Sequence, residues 1–205
     1  MNDINMPAFR HAVLTMVGPF SMVIGKIVIP HARRFTEEEA AAVVKIASPG
    51  DVMVSRTKLS ASNLVIPSFW KHAAMVVSGD RVVEAVGSGV RLAWLHDVIL
   101  QHDYIQIMSP QFATRQEALL SANFAVTLIG KPYDFLINFS DNRSTNAAFY
   151  CSEIPWWCYD QVLKAAGKKS AFVPRKTLGM ETVIPQDYAN ATDKWRVKWT
   201  SLVAS

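Results

Sequence analysis

Cysteine is nearly missing from this 205-residue chain, which has only Cys151 and Cys158. If both lie on one helix, their seven-residue separation puts the Cα atoms roughly 10 Å apart at about 1.5 Å rise per residue. A disulfide spans less than about 7 Å, so no disulfide framework is expected, and the chain gives no positive sign of an oxidising compartment. No CxxC pair and no histidine cluster accompanies the thiols, which leaves a zinc site without its ligands. No clear cleavable leader is expected either. Residues 12–29 are largely apolar and follow Arg10 and His11, but Gly18-Pro19 interrupts the run, Lys26 charges it, and no small-residue cleavage site follows. Two readings stay open for this segment: a broken helix that packs on the domain or rests on a membrane surface, and a membrane anchor. The expected compartment is accordingly cytoplasmic or membrane-associated.

Half of the residues are hydrophobic, which supports one domain with a sizeable core and excludes a disordered chain. We expect residues 1–47 to form a helical extension and residues 48–205 the domain itself. The net charge of +4 is unevenly spread: residues 1–160 carry 13 basic and 14 acidic side chains, residues 161–205 carry 8 and 3. A basic tail can meet phosphates or anionic lipid, but an excess of this size is more often a solvated face. Within it, Lys194 to Trp199 alternates basic and aromatic residues. Alternation sends the two sets to opposite faces, as in an edge strand with aromatics in the core and lysines blunting the edge. No nucleic-acid partner is expected, since the tail has no recognised binding motif.

Thr36-Glu37-Glu38-Glu39 and Thr114-Arg115-Gln116-Glu117 both have capping-box spacing and predict helix starts. The first helix ends at Ser48-Pro49-Gly50; the second carries an apolar stripe of Leu119, Ala122, Val126 and Ile129, with Gly130 at the expected C-cap. Strands are predicted from Gly50-Asp51 to Arg56, over 73–77 and 81–86, and over 104–108. Trp94, Leu95, Val98 and Ile99 have helical spacing, and a strand over 147–150 leads into Cys151.

Cys151 is the most informative residue. It stands where the run Phe149-Tyr150 gives way to a helical segment, and a helix N-terminus favours thiolate over thiol. His72 opens one strand of the 73–86 hairpin and Glu84 lies inside the other. A Cys/His pair suits acyl transfer, with a carboxylate behind the imidazole to fix its tautomer and stabilise its charge. Strand side chains alternate faces, so the hairpin register decides whether His72 and Glu84 can meet. A plain two-residue Gly79-Asp80 turn puts them on opposite faces; a three-residue loop with a bulge, or an equivalent bulge, makes them diagonal neighbours on one face.

In chain order the sequence shows Gly50-Asp51-Val52 at a strand start, His72 leading a strand, Val83-Glu84-Ala85, Gly130-Lys131-Pro132-Tyr133-Asp134 and Tyr150-Cys151-Ser152-Glu153. This succession, over roughly residues 48–165, resembles the circularly permuted branch of the NlpC-type papain-like cysteine hydrolases, the YiiX/YebB-like group, in which histidine precedes cysteine. The lecithin:retinol acyltransferase-like proteins are more distant relatives. The resemblance implies an α+β fold, a small antiparallel sheet or barrel flanked by helices. It also implies Cys151 as nucleophile, His72 as general base and acid, Glu84 as the orienting residue, and Tyr133 at the cleft to bind substrate or the oxyanion. No cofactor is implied. Pro155-Trp156-Trp157 departs from the family pattern, and a proline there is tolerated only near a helix start.

The function expected is hydrolysis of an amide bond in a small peptide, cell-wall fragment or lipid amide through a Cys151 thioester. The alternatives are a lipid acyltransferase or thioesterase using the same nucleophile, prompted by the apolar N-terminus, Leu64-Val65-Ile66 and the aromatic content, and a non-catalytic binding module.

Overall fold

A computed structural model describes residues 34–58, 68–135, 148–170, 174–177 and 180–202. The apolar segment 12–29, the run Leu64-Val65-Ile66 and the polar loop 140–146 lie outside the described residues. Both capping boxes form. Thr36 Oγ1 accepts the Glu39 N–H and Glu39 returns a carboxylate oxygen to the Thr36 N–H, opening α1 (Glu37–Ile46).

The chain then runs through β1 (Val52–Arg56), β2 (His72–Ser78), β3 (Arg81–Val86) and β4 (Gly89–Trp94) to a short helix, α2 (Leu95–Leu100), and β5 (Tyr104–Pro110). Thr114 and Glu117 cap α3 (Arg115–Val126); α4 (Glu153–Ala165), the small hairpin β6 (Arg175–Thr177) and β7 (Met180–Thr182), α5 (Pro185–Asn190) and β8 (Trp195–Thr200) follow. Six strands form one antiparallel sheet in the order β4-β3-β2-β1-β5-β8. It is an open sheet, not a barrel, with β4 and β8 as its edges.

Period-two alternation gives the sheet two buried faces. Val52, Val54, Ala73, Met75, Val83 and Ala85 pack with Ala125 of α3 and Ile154, Trp157 and Cys158 of α4. Met53, Ala74, Val76, Val82, Ile105 and Ile107 pack with α1 and α2 through Ala40, Val43, Leu95, Val98 and Ile99. Helices therefore cover both faces. Among the described residues, no helix is long and apolar enough to cross a membrane.

Four expectations need correction. Three of the four stripe residues face outward: Leu119, Val126 and Ile129 are exposed, and only Ala122 joins Glu117, Ala118, Ser121 and Ala125 on the buried face. Small residues win because α3 lies tight against α4 and the β1 start; a Cβ on Gly50, whose φ is +91°, would stand 2.7 Å from Ala118 Cβ. Gly130 is not the immediate helix cap: α3 ends at Val126, and Gly130, at φ +88°, gives its N–H to Val90 O after a further turn. No strand leads into Cys151 among the described residues, only a single parallel bridge between Tyr133 and Phe149. Finally, β8 is the edge strand, but its aromatics do not share a face. A bulge opposite Ile107 and Met108 interrupts the alternation, so Trp195 enters the cluster with Tyr159 and Tyr188 while Trp199 meets Phe35 on the other side.

Candidate active site

The β2–β3 register resolves the question the sequence leaves open. Ser78 pairs with Arg81 across a two-residue turn, yet Val76 pairs with Val82 and Met75 with Val83, so Val77 is an extra, bulged residue. Beyond the bulge every pairing moves by one residue, and His72 and Glu84 become diagonal neighbours on one face. His72 Nε2 lies 2.7 Å from Glu84 Oε2. Glu84 is itself held from behind. Arg91, directly opposite on β4, donates from Nε at 2.9 Å and a terminal nitrogen at 2.7 Å to Glu84 Oε1.

Cys151 reaches this pair from the helix on the other face of the sheet. α4 begins at Glu153 with Ser152 as its N-cap, which places Pro155 in the first turn, where a missing N–H costs nothing. The cysteine backbone is clamped on both sides. Tyr150 Oη accepts the Val183 N–H, Ser152 Oγ donates to Val183 O, and Tyr188 Oη donates to Ser152 O at 2.6 Å. The thiol hydrogen-bonds to His72 and receives the Ala73 N–H.

The protonation pattern follows from this chain of contacts. Burial opposes the charge on all three groups, and the neighbours outweigh it. Hydrogen bonds and negative charge from Cys151 and Glu84 raise His72 to about 10. His72 and Arg91 together lower Glu84 to about 2. Cys151 is lowered by His72, the Ala73 N–H and Ser152. The arrangement is that of a thiolate–imidazolium pair backed by a carboxylate. Cys158 behaves in the opposite way: buried inside α4 without a charged partner, its thiol is pushed up.

Tyr133 stands beside this centre. The 132–134 segment is docked on the 149–151 segment by two backbone bonds, Phe149 N–H to Pro132 O and Asp134 N–H to Phe149 O, each 3.0 Å. Burial raises the Tyr133 phenol, and the negative charge of Cys151 raises it further. Next to it Glu153, 1 % exposed, is pushed up to about 9 by burial and by Asp134.

Sequence reasoning missed Arg91 and His102. Arg91 had a signal: Glu84 and Arg91 are equidistant from Gly87-Ser88, so a two-residue turn there sets them opposite each other. His102 had none. It follows α2, donates from Nδ1 to Val98 O at 2.7 Å, and lies nearly parallel to the His72 ring at a centroid distance of 5.9 Å. Burial and the His72 charge lower it to about 4, so it is neutral beside the charged imidazole.

An open antiparallel sheet with histidine on a strand and cysteine later in the chain at a helix N-terminus defines a papain-like hydrolase of permuted order. Residues 47–197 match the model of the Peptidase_C92 family, described as permuted papain-like amidase enzymes of the YaeF/YiiX type, and the chain belongs to that family of cysteine amidases. The fold is also similar to a crystal structure described as the metalloprotein YiiX from Escherichia coli O157:H7. The TM-score is 0.50 at 22% identity, over 77% of this chain and 97% of that one. No curated protein matches the chain. Among the described residues no group of three or more His, Cys, Asp or Glu is placed to hold a metal ion, and His72 already spends Nε2 on Glu84.

Proposed function

We propose that this amidase cleaves an amide bond of a small peptide through a thioester at Cys151, with His72 as general acid and base, Glu84 as the orienting residue and Tyr133 at the substrate. The observation that carries the reading is the continuous hydrogen-bonded chain from Cys151 through His72 to Glu84. The thiolate sulfur adds to the carbonyl carbon; the oxyanion is met by the Cys151 backbone N–H and the Tyr133 hydroxyl. The C–N bond then breaks as His72 gives its proton to the leaving amine. Neutral His72 next removes a proton from water, which attacks the thioester and releases the acid and the Cys151 thiolate, restoring the thiolate–imidazolium pair. Glu84 holds the ring through Nε2 and stays ionised throughout. Cell-wall peptides and lipid-linked amides are the substrates to screen first.

The test is intact-mass spectrometry during turnover of such a panel. An acyl adduct on Cys151 that decays to free acid in water is expected, and Cys151→Ala should yield neither adduct nor product. Release that persists in Cys151→Ala would overturn the reading. Transfer of the acyl group to an added amine or lipid in preference to water would make the protein an acyltransferase.

A further inference from the structure

We infer that Arg91 is a positioning residue for the catalytic group, acting through Glu84, so that the working unit is a four-residue relay of Arg91, Glu84, His72 and Cys151. The inference rests on the proposed role of Cys151 and His72. Arg91 and Glu84 are directly opposed in the β3–β4 ladder. Glu84 divides its two oxygens cleanly: Oε2 faces His72, and Oε1 takes both contacts from Arg91. One oxygen is thus anchored by a rigid two-nitrogen fork, and the other is left in a fixed direction for the imidazole.

The anchor matters because Glu84 is 2 % exposed while Arg91 is 48 % exposed. A buried carboxylate facing imidazolium alone would gain by taking its proton, which would neutralise both and end the support for the thiolate. Three cationic or titratable groups surround Glu84 among the described residues: His72 from β2, Arg91 from β4, and His102 after α2. His102 stays neutral, so Arg91 supplies the permanent positive charge that keeps Glu84 ionised. A purely structural ion pair would stabilise the sheet edge without touching the thiol.

The pH dependence of Cys151 alkylation by iodoacetamide separates the two. In the native protein the rate should rise through a limb well below that of a free thiol. In Arg91→Met, which keeps the apolar stem, that limb is expected to move up by about one unit, making alkylation at any pH below the native limb roughly tenfold slower, and to steepen as Glu84 titrates with it. Arg91→Lys keeps the charge but not the fork and should fall between the two; it also carries the test if Arg91→Met does not fold. In a Glu84→Gln background the Arg91 substitutions should add nothing. Limbs that superimpose on the native one in both Arg91 variants, or an equal Arg91 effect without Glu84, would overturn the inference. A native Cys151 that titrates like a free thiol would instead sink the underlying reading.

Discussion

Glu84 carries a charge where burial argues against one, and the pH behaviour of the molecule follows from how that charge is kept. Its carboxyl is held at about 2 and the His72 imidazole at about 10. His72 binds its proton more tightly in the native state, so its contribution to stability is complete below the ordinary 6.5 and is lost as pH rises through about 10. Glu84 contributes above its ordinary 4.5, and that contribution is lost as pH falls through about 2. Because the leaving amine needs the His72 proton, kcat/KM is expected to fall as pH rises through about 10, and a pH–rate profile checks this. His72→Ala should lower kcat by about 10²- to 10⁴-fold; a smaller loss would remove His72 from the reaction. At this scale chain order and residue type singled out Cys151, His72 and Glu84, which the fold brings together, while Tyr133 was picked out only by the family resemblance. His102 was not legible, since its place comes from the end of α2 meeting β2 in space.

Among the elements, the β2–β3 hairpin decides whether the site exists. The sequence allowed two registers, and the structure combines them: a two-residue turn at the tip and the bulge at Val77 below it. Periodicity cannot show which strand residue will go unpaired, because that depends on packing both faces of the sheet at once. The bulge makes an unusual prediction. Val77 is the surplus residue, so deleting it should leave Val76 opposite Val82 and His72 beside Glu84. Amidase activity should then survive within about tenfold, with roughly 1 kcal/mol lost from the Val77 contacts. Abolished activity in a folded deletion variant would refute the register argument. The clamp on the cysteine loop gives a second test. Tyr188→Phe removes the bond from Tyr188 Oη to the Ser152 carbonyl; a stability loss of about 1–3 kcal/mol in urea unfolding is expected. The outward face of α3 shows the other limit of reading elements alone, since close approach to α4 overrides an apolar stripe that spacing would send inward.

Across the whole molecule, part of the basic tail is tied to earlier segments of the chain. Among the described residues, five of its eight basic side chains pair with carboxylates: Lys164 with Asp160, Lys168 with Glu117, Arg175 with Asp187, Lys194 with Asp193 and Lys198 with Asp51. Three of those partners precede the tail in sequence, so composition by segment could not reveal them. Lys198 of the edge strand reaches a buried Asp51 that also accepts from Ser109 Oγ and the Ser48 N–H. Asp51→Ala should cost about 3 kcal/mol by leaving that ammonium unpaired; a loss under about 0.5 kcal/mol in denaturant unfolding would show the pair to be incidental. The fold also gives the molecule its own control, because its two thiols are seven residues apart and oppositely tuned. The most direct measurement is therefore the iodoacetamide rate at each cysteine from pH 4 to 10, read by peptide mass spectrometry in the native protein and in His72→Ala. Cys151 is expected to react with an apparent pKa well below the roughly 8.5 of a free thiol, with the depression shrinking in His72→Ala and Cys158 staying inert. Ordinary titration of Cys151, or a depression indifferent to His72, would contradict the thiolate–imidazolium pair.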